Sequence, residues 1–244
     1  MAINDAAERR AFERRFFLAI AILFPTAVLI GFAPTYYLKP LFNSPPIPRM
    51  IIHLHGLLMA IWVGLFIAQV YLIRSIRIKV HQRLGYLSIA LAAGIIISGL
   101  VTAVAAAKYG STSTPAGADP IQFLVVPFFD MVVFAVLFAG AVYYRRNAPN
   151  HKRLMLLTVL NFLPPVIARF PFGLTDAYGP LWFFGLPDAL AVIFVVVDTW
   201  RNGKLNKVFL AGTIFLIVSH WGRLAIWTTP AWINFATWLT SFAG

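Results

Sequence analysis

Seven long apolar stretches, separated by short polar segments, dominate this sequence of 244 residues. A bilayer core about 30 Å thick is crossed by about 20 helical residues at ~1.5 Å each, so every stretch is long enough to span it. Only 11% of the residues are charged, against about 25% in soluble domains, which excludes a water-soluble fold. We therefore predict an all-α fold, a polytopic membrane helical bundle with seven transmembrane helices in a single integral membrane domain over residues 1–244. The predicted spans are 16–35, 50–73, 84–107, 122–144, 154–172, 181–200 and 208–229.

Positively charged residues mark one side of this bundle. Fifteen of the 20 Lys and Arg residues lie at 9–15, 74–83, 145–153 and 201–207, in segments that the seven spans place on one face. The positive-inside rule assigns that face to the cytoplasm, so we predict an N-in, C-out, multi-pass protein of the bacterial cytoplasmic (inner) membrane. The net charge of +12 then predicts membrane lipids, and not nucleic acid, as partners.

The end of the chain and the absent residue types add further constraints. Residues 231–244 are too short to span, and Trp232 and Trp238 predict an interfacial segment there. The chain has no Cys, which excludes disulfides, thiolate metal sites, iron–sulfur clusters and a Cys nucleophile. No Lys lies within a predicted span, which excludes a retinal Schiff base, and an N-in orientation is opposite to that of a G-protein-coupled receptor.

Two helix entries share a short motif. The third span begins with His81-Gln-Arg-Leu-Gly85 and the fifth with His151-Lys-Arg-Leu-Met155, each after a short basic cytoplasmic turn. The match predicts an internal repeat of a two-helix hairpin, formed by spans 2–3 and spans 4–5. Because both His side chains lie beside Arg at the level of the lipid headgroups, contact with phosphates is the alternative to a ligand-binding role.

These motifs carry a resemblance. Gln69, His81-x-x-Leu84-Gly85, His151-x-Arg153-x-Met155 and Arg169 resemble, over residues 50–172, an uncharacterised family of bacterial multi-span membrane proteins with HRxLG and HRRxM helix-entry motifs. That resemblance implies a fold and no activity. A more distant likeness to the transmembrane b-type cytochromes implies cofactor binding, with haem b held by His81 and His151. The fourth span has no His, so at most one haem of that pattern is expected, and quinone contacts stay open for the same pair.

Ionisable residues inside the predicted spans form the strongest candidate site. Asp130, Arg169, Asp188 and Arg223 each cost at least about 2.5–3.5 kcal/mol at the centre of a helix, so they require partners or a cavity. At ~1.5 Å per residue all four fall in the outer half of the bundle, and their charges sum to zero. The balance predicts a shared cluster. A salt-bridge network that only holds the helices together is the alternative.

Polar neighbours complete the predicted ligand-binding site. Asn161 precedes the Pro164-Pro165 pair, which breaks the fifth span and frees backbone carbonyls. His55 shares a stripe with Met59, Trp62, Phe66 and Gln69, whereas His53 lies on the opposite stripe with Gly56, Ala60 and Gly64, for which a close helix–helix contact is expected. The H-x-H pair therefore predicts no metal chelate. The predicted set is His55, Gln69, Asp130, Asn161, Arg169, Asp188, His220 and Arg223.

Three function classes remain open. The first is a haem- or quinone-linked membrane redox protein. The second is a metal-dependent membrane hydrolase, with Zn²⁺ held by His55, His220 and Asp130 or Asp188, near Ser219; two Arg in the same layer and the lack of an H-x-x-x-H pair disfavour zinc. The third is non-catalytic: a transporter, a sensor or a membrane-complex subunit with other membrane subunits as partners. A non-enzymatic protein that binds a small ligand or prosthetic group is the favoured interpretation, and its cofactor is open.

The predicted topology can be tested by cysteine labelling, because the chain has no native Cys. Asp5→Cys and Asn147→Cys should react with a membrane-impermeant maleimide only from the cytoplasmic side. Ser113→Cys should react only from the outside. Labelling of position 113 from the cytoplasm would overturn the seven-span, N-in arrangement.

Overall fold

The computed structural model describes residues 2–44, 47, 49–111, 114 and 117–242. Over these residues the chain is helical and contains no strand, which confirms the all-α prediction. Six helical segments of the described residues are long and apolar enough to cross a membrane. They are Arg10–Tyr37, Met50–Arg74, Ile78–Tyr109, Pro120–Arg146, Pro180–Asn202 and Lys207–Ile226. The chain is thus a multi-pass helical protein, while the seventh span and the orientation stay predictions.

The helices are numbered here in chain order. The long ones are α1 (Ala2–Phe32), α2 (Met50–Arg74), α3 (Ile78–Tyr109), α5 (Val125–Tyr143), α6 (Ala148–Asn161), α10 (Gly185–Asn202), α11 (Lys207–Ile226) and α12 (Pro230–Ser241). Four short ones complete the set, namely α4 (Pro120–Phe123), α7 (Leu163–Ile167), α8 (Leu174–Tyr178) and α9 (Pro180–Phe183). A π-helical turn at Ala33–Tyr37 and 3₁₀ turns at Lys39–Phe42 and Tyr144–Arg146 join some of them.

The predicted fifth span is broken into two helices. α6 ends at Asn161, and α7 restarts at Leu163 with Pro164 in its first turn, where the missing N–H costs no hydrogen bond. Side chains from the following segment satisfy carbonyls beyond the break: Trp182 Nε1 donates to Ile167 O at 3.1 Å, and Thr175 Oγ1 donates to Ala168 O at 3.0 Å. The double-Pro break therefore lies inside protein, as a break at membrane depth requires.

α6 forms the centre of the bundle, because eight of its 14 residues are buried. It pairs with α5 through the 3₁₀ turn, and α10 and α11 pack on it. α2 and α3 form a second hairpin, whose α3 packs on α5. The core side chains Phe134, Leu157 and Leu216 are fully buried. Both predicted hairpins thus exist as packed helix pairs, and their relationship as a repeat stays a prediction.

The expected contact of the small-residue stripe on α2 was largely wrong. His53 and Ala60 are exposed, and a Cβ at Gly64 would meet no atom within 4 Å. In the described structure only the start of the stripe has a close neighbour, the Tyr36 side chain. Its hydroxyl lies 3.2 Å from His53 Nδ1 and would lie 3.0 Å from a Cβ added at Gly56. The opposite stripe, with Trp62 and Phe66, enters the core as expected. A helix at the edge of a bundle needs only one face covered, and small residues are tolerated on the other.

The C-terminal segment is a helix that packs on the bundle. Trp232, 6% exposed, directs its indole N–H to the carbonyls of Ile121 and Gln122, each at 3.3 Å. Thr229 caps the helix, since its hydroxyl accepts from the backbone N–H of Trp232 at 3.3 Å. Trp238 is exposed. Trp232 thus anchors the segment to the bundle. The exposed Trp238 is the residue that still supports the predicted position at the membrane interface.

A close approach of α1 to the backbone of α7 gives a stability test. Gly31 of α1 is buried, and an added Cβ would collide with the carbonyl group of Val166 in α7. Backbone atoms cannot rotate away as a side chain can, so Gly31→Ala should destabilise the protein by about 1–3 kcal/mol through overpacking. Gly64→Ala, with no neighbour within 4 Å, is the matched control and should cost nothing. Thermal unfolding in detergent measures both; equal midpoints would contradict the packing of α1 on α7.

Candidate functional site

A buried ion pair joins α5 and α11. Arg223 is 1% exposed and donates from Nη1 to Asp130 Oδ1 at 2.5 Å. Its other N–H groups are also used: Nη1 reaches Val126 O at 3.0 Å, while Nε and Nη2 reach the carbonyl and hydroxyl of Ser219 at 3.0 and 3.1 Å. Ser219 and Arg223 lie one turn apart on the same face of α11. The guanidinium is therefore matched by four hydrogen bonds inside the bundle.

A second polar pair joins α10 and α11. His220 Nδ1 lies 2.7 Å from Asp188 Oδ1, and Trp221 Nε1 donates to the other carboxylate oxygen at 2.9 Å. Because a carboxylate accepts hydrogen bonds, Nδ1 carries the proton in this pair. The carboxylate thus fixes the tautomer and the orientation of the imidazole, as a carboxylate bonded to a histidine ring commonly does. Asp188 also lies in the first turn of α10, where a negative charge is stabilised by the helix dipole.

Phe184 brings the two pairs into one cluster. Its ring stacks on that of His220, with the centroids 4.5 Å apart and the planes at 13°. The Arg223 guanidinium carbon lies 5.2 Å from the centroid of the same ring. Asn161, at the end of α6, donates from its side-chain amide to Asp130 O at 3.0 Å. We call this set the polar cluster: Asp130, Asn161, Phe184, Asp188, His220 and Arg223.

The charged side chains of the polar cluster are all held in hydrogen-bonded contacts. Asp130 pairs with Arg223, and Asp188 bonds the ring nitrogens of His220 and Trp221. A charge buried in an apolar bundle is costly unless it is matched in this way.

Two atoms of the cluster have no hydrogen-bond partner among the described residues. His220 Nε2 and Asn161 Oδ1 are both buried, on side chains with no exposed surface. A buried polar atom without a partner costs about 1–3 kcal/mol, and most such atoms in proteins are satisfied by protein or by ordered water. Each of these two atoms therefore marks a position at which a further molecule would form a hydrogen bond.

The structure brings together five of the eight predicted ligand-binding residues, namely Asp130, Asn161, Asp188, His220 and Arg223. The other three have contacts elsewhere. His55 Nδ1 lies 3.0 Å from the hydroxyl of Ser98. Arg169 donates to Pro165 O at 2.5 Å, and its guanidinium lies 4.9 Å from the Phe32 ring. Gln69 donates to the backbone carbonyl of His81 at 3.2 Å.

The two motif histidines meet at the other end of α6. The His81 and His151 rings have centroids 6.3 Å apart and planes at 81°. His151 Nδ1 lies 2.8 Å from Ala141 O, whereas His81 Nδ1 is buried and has no partner among the described residues. The matched positions of the two motifs thus place their histidines side by side.

One buried ion pair escaped the sequence analysis. Arg153 of the second motif makes a bidentate pair with Asp198 of α10, at 2.9 and 2.6 Å, and also donates to Pro149 O at 2.6 Å. Asn202 donates to Asp198 Oδ1 at 3.1 Å. The corresponding Arg83 is exposed. The sequence contained a sign of this pair, because Arg153 and Asp198 lie at the same end of two consecutive predicted spans. Asp198 is near the end of its span, however, so it was not counted among the ionisable residues inside the membrane.

The zinc alternative finds no ligand set in the part of the chain that the structure describes. No group of three or more His, Asp and Glu side chains there is arranged to hold one metal ion. His55 bonds Ser98, and Asp130 is occupied by Arg223. The proposed combination of His55, His220 and one of the two aspartates is thus not assembled.

Comparisons with family models, with curated proteins and with solved structures found no match to this chain. The resemblance to the uncharacterised bacterial family and the likeness to b-type cytochromes therefore stay predictions. What the cluster can do follows from its own geometry and charges.

A double-mutant cycle tests the Asp130–Arg223 pair. Arg223→Met leaves Asp130 as an uncompensated buried charge, so it should cost about 3–5 kcal/mol of stability. Asp130→Leu should cost a similar amount, because it leaves the buried guanidinium of Arg223 without its carboxylate. The double variant should recover much of the loss, because packed apolar groups replace buried pairs at little cost. Arg83→Met, at an exposed position, is the control. Unfolding by SDS titration measures all four, and additive losses would show that the two charges are not coupled.

Proposed function

We propose that this chain is a seven-span protein of the bacterial cytoplasmic membrane, with its N-terminus in the cytoplasm, that binds a small hydrogen-bonding ligand at the polar cluster. Six apolar helices support the membrane location. Large apolar side chains also cover the outside of the bundle, such as Ile22, Leu23 and Leu29, which are 57, 62 and 60% exposed. Such a surface fits lipid chains as its surroundings.

The ligand-binding proposal is based on the burial and the hydrogen bonds of His220. Its ring is fully buried, its Nδ1–H is committed to Asp188, and its Nε2 has no partner among the described residues. A side chain needed only for packing could be Leu or Phe at this position without the cost of an unpaired nitrogen. The carboxylate-oriented imidazole instead presents one free nitrogen, the arrangement that suits a binding or proton-accepting group.

The two free atoms define the chemistry of the ligand. Asn161 Oδ1 accepts hydrogen bonds, and His220 Nε2 is the ring nitrogen that the bond from Nδ1 to Asp188 leaves available. A matching ligand carries a hydrogen-bond donor for Asn161 Oδ1 and a second hydrogen-bonding group for His220 Nε2, as a small molecule with two hydroxyl groups does.

Native mass spectrometry of the protein purified in mild detergent tests this function. The wild-type chain should carry an additional non-covalent mass below that of a phospholipid. Asp188→Asn and His220→Gln should lose at least about 90% of that adduct, since each removes a charged bond of the pair. His53→Gln is the matched control, because His53 is exposed and bonds only the Tyr36 hydroxyl in the described structure; it should keep the adduct.

The same experiment can also contradict the proposal. Wild-type protein that carries no adduct, and whose cluster variants differ from it only in stability, would show that water fills the two positions. The polar cluster would then be a structural network, and the ligand-binding proposal would be wrong.

A further inference from the structure

A groove on the outer surface of the bundle runs between α5 and α11. Its volume is about 390 Å³, within the range of about 300–1,000 Å³ that ligand pockets in proteins have. Buried Leu137 and Leu154 form part of its floor. Gly140 of α5 and the exposed Ala211 of α11 line it with small side chains, which leaves the space open. None of the residues of the polar cluster lines this groove.

The groove extends from one membrane boundary into the apolar region. Lys207 and Tyr144 line one end of it, where the predicted spans place the cytoplasmic face. From Lys207 to Phe215, which also lines the groove, α11 advances about 12 Å at ~1.5 Å per residue. Apart from Lys207 and Tyr144 every lining residue is apolar. The lining therefore matches a lipid acyl chain that enters from the headgroup layer.

Positive charge is concentrated at the headgroup end of the groove. Lys207 is exposed, as are Arg145, Arg146 and Lys204 in the adjoining turns, and none of the four has a carboxylate partner among the described residues. Lys207 is also the first residue of α11, whose first turn contains no acidic residue. Its charge therefore adds to the positive end of the helix dipole instead of cancelling it. A phosphate group at this end would be matched by both.

We propose that this groove binds one anionic phospholipid, with an acyl chain between α5 and α11 and the phosphate at Lys207. An acyl chain gains little by moving from the bilayer into a groove that is equally apolar. The groove therefore selects by shape, and the basic end selects by charge, with about a fivefold preference for each basic side chain near an anionic lipid. The inference rests on the proposed membrane location, but not on a ligand at the polar cluster.

A second copy of the chain is the less favourable occupant. Two copies in one membrane have the same orientation, and a two-fold axis along the membrane normal would bring the same face of both to their interface. The exposed basic side chains at the end of the groove would then oppose their own counterparts, which is unfavourable. A lipid phosphate brings the opposite charge to the same position.

Native mass spectrometry of the full chain in detergent tests the role of the basic end. The protein is titrated with phosphatidylglycerol or with phosphatidylcholine of identical chains, and the wild type should bind phosphatidylglycerol at least about fivefold more tightly. Lys207→Gln should remove about a fivefold preference and leave phosphatidylcholine binding unchanged. Lys79→Gln is the matched control, because Lys79 is exposed in the first turn of α3 on the same predicted face and does not line the groove; it should keep the preference.

A second variant tests the groove itself. Ala211→Phe places a ring where the acyl chain would lie, so it should weaken the binding of both lipids at least about fivefold through overpacking. Ala60→Phe is the matched control, since Ala60 is exposed on α2 and does not line the groove; it should bind both lipids as the wild type does. Because both alanines are exposed, neither change should lower the thermal midpoint.

Three results would overturn the lipid proposal. The first is equal affinity of the wild type for the two lipids, and the second is wild-type binding by both Lys207→Gln and Ala211→Phe. The third is complete disulfide formation between two Ala211→Cys chains in native membranes, because a second copy would then fill the groove. The outcome is separate from that of the polar cluster, since His220→Gln should keep the lipid preference and Lys207→Gln should keep the smaller adduct.

Discussion

Burial of the Arg223 guanidinium is the constraint on which the rest of this bundle depends. A charged group in an apolar medium must be matched on every side, and α11 can supply only the two groups of Ser219. The remaining bonds come from Val126 and Asp130 of α5, so these two helices are fixed in depth and in rotation. Asp130 in turn holds Asn161 through its carbonyl, which sets the end of α6 beside the double-Pro break.

Depth along the helices could be predicted from the sequence, but rotation about their axes could not. Counting residues placed Asp130, Asp188 and Arg223 in the same half of the bundle, and the structure joins them through His220 and Phe184. The same count placed Arg169 with them, and His55 was in the predicted set, whereas these two side chains turn toward Phe32 and Ser98. A hydrophobic pattern specifies which face of a helix is buried, but not which neighbour that face meets, because nearly every neighbour in a membrane bundle is equally apolar.

The paired motifs show which part of a sequence pattern carries information. Both histidines begin helices at matched positions, and their rings meet. The two arginines do not share a role, since Arg83 is exposed and Arg153 is bidentate to Asp198. The signal common to both motifs is thus the histidine and its position. The arginine at the second motif is explained instead by the central place of α6, where a buried cation needs a carboxylate.

α6 connects the two polar regions of the molecule. From His151 to Asn161 it advances ten residues, or about 15 Å at 1.5 Å each, so one helix carries His151 in its first turn and Asn161 of the polar cluster at its end. Its middle, including Leu157 and Leu160, is packed in apolar contacts. This apolar segment separates the two polar regions, because a polar path between them would need partners that Leu cannot supply.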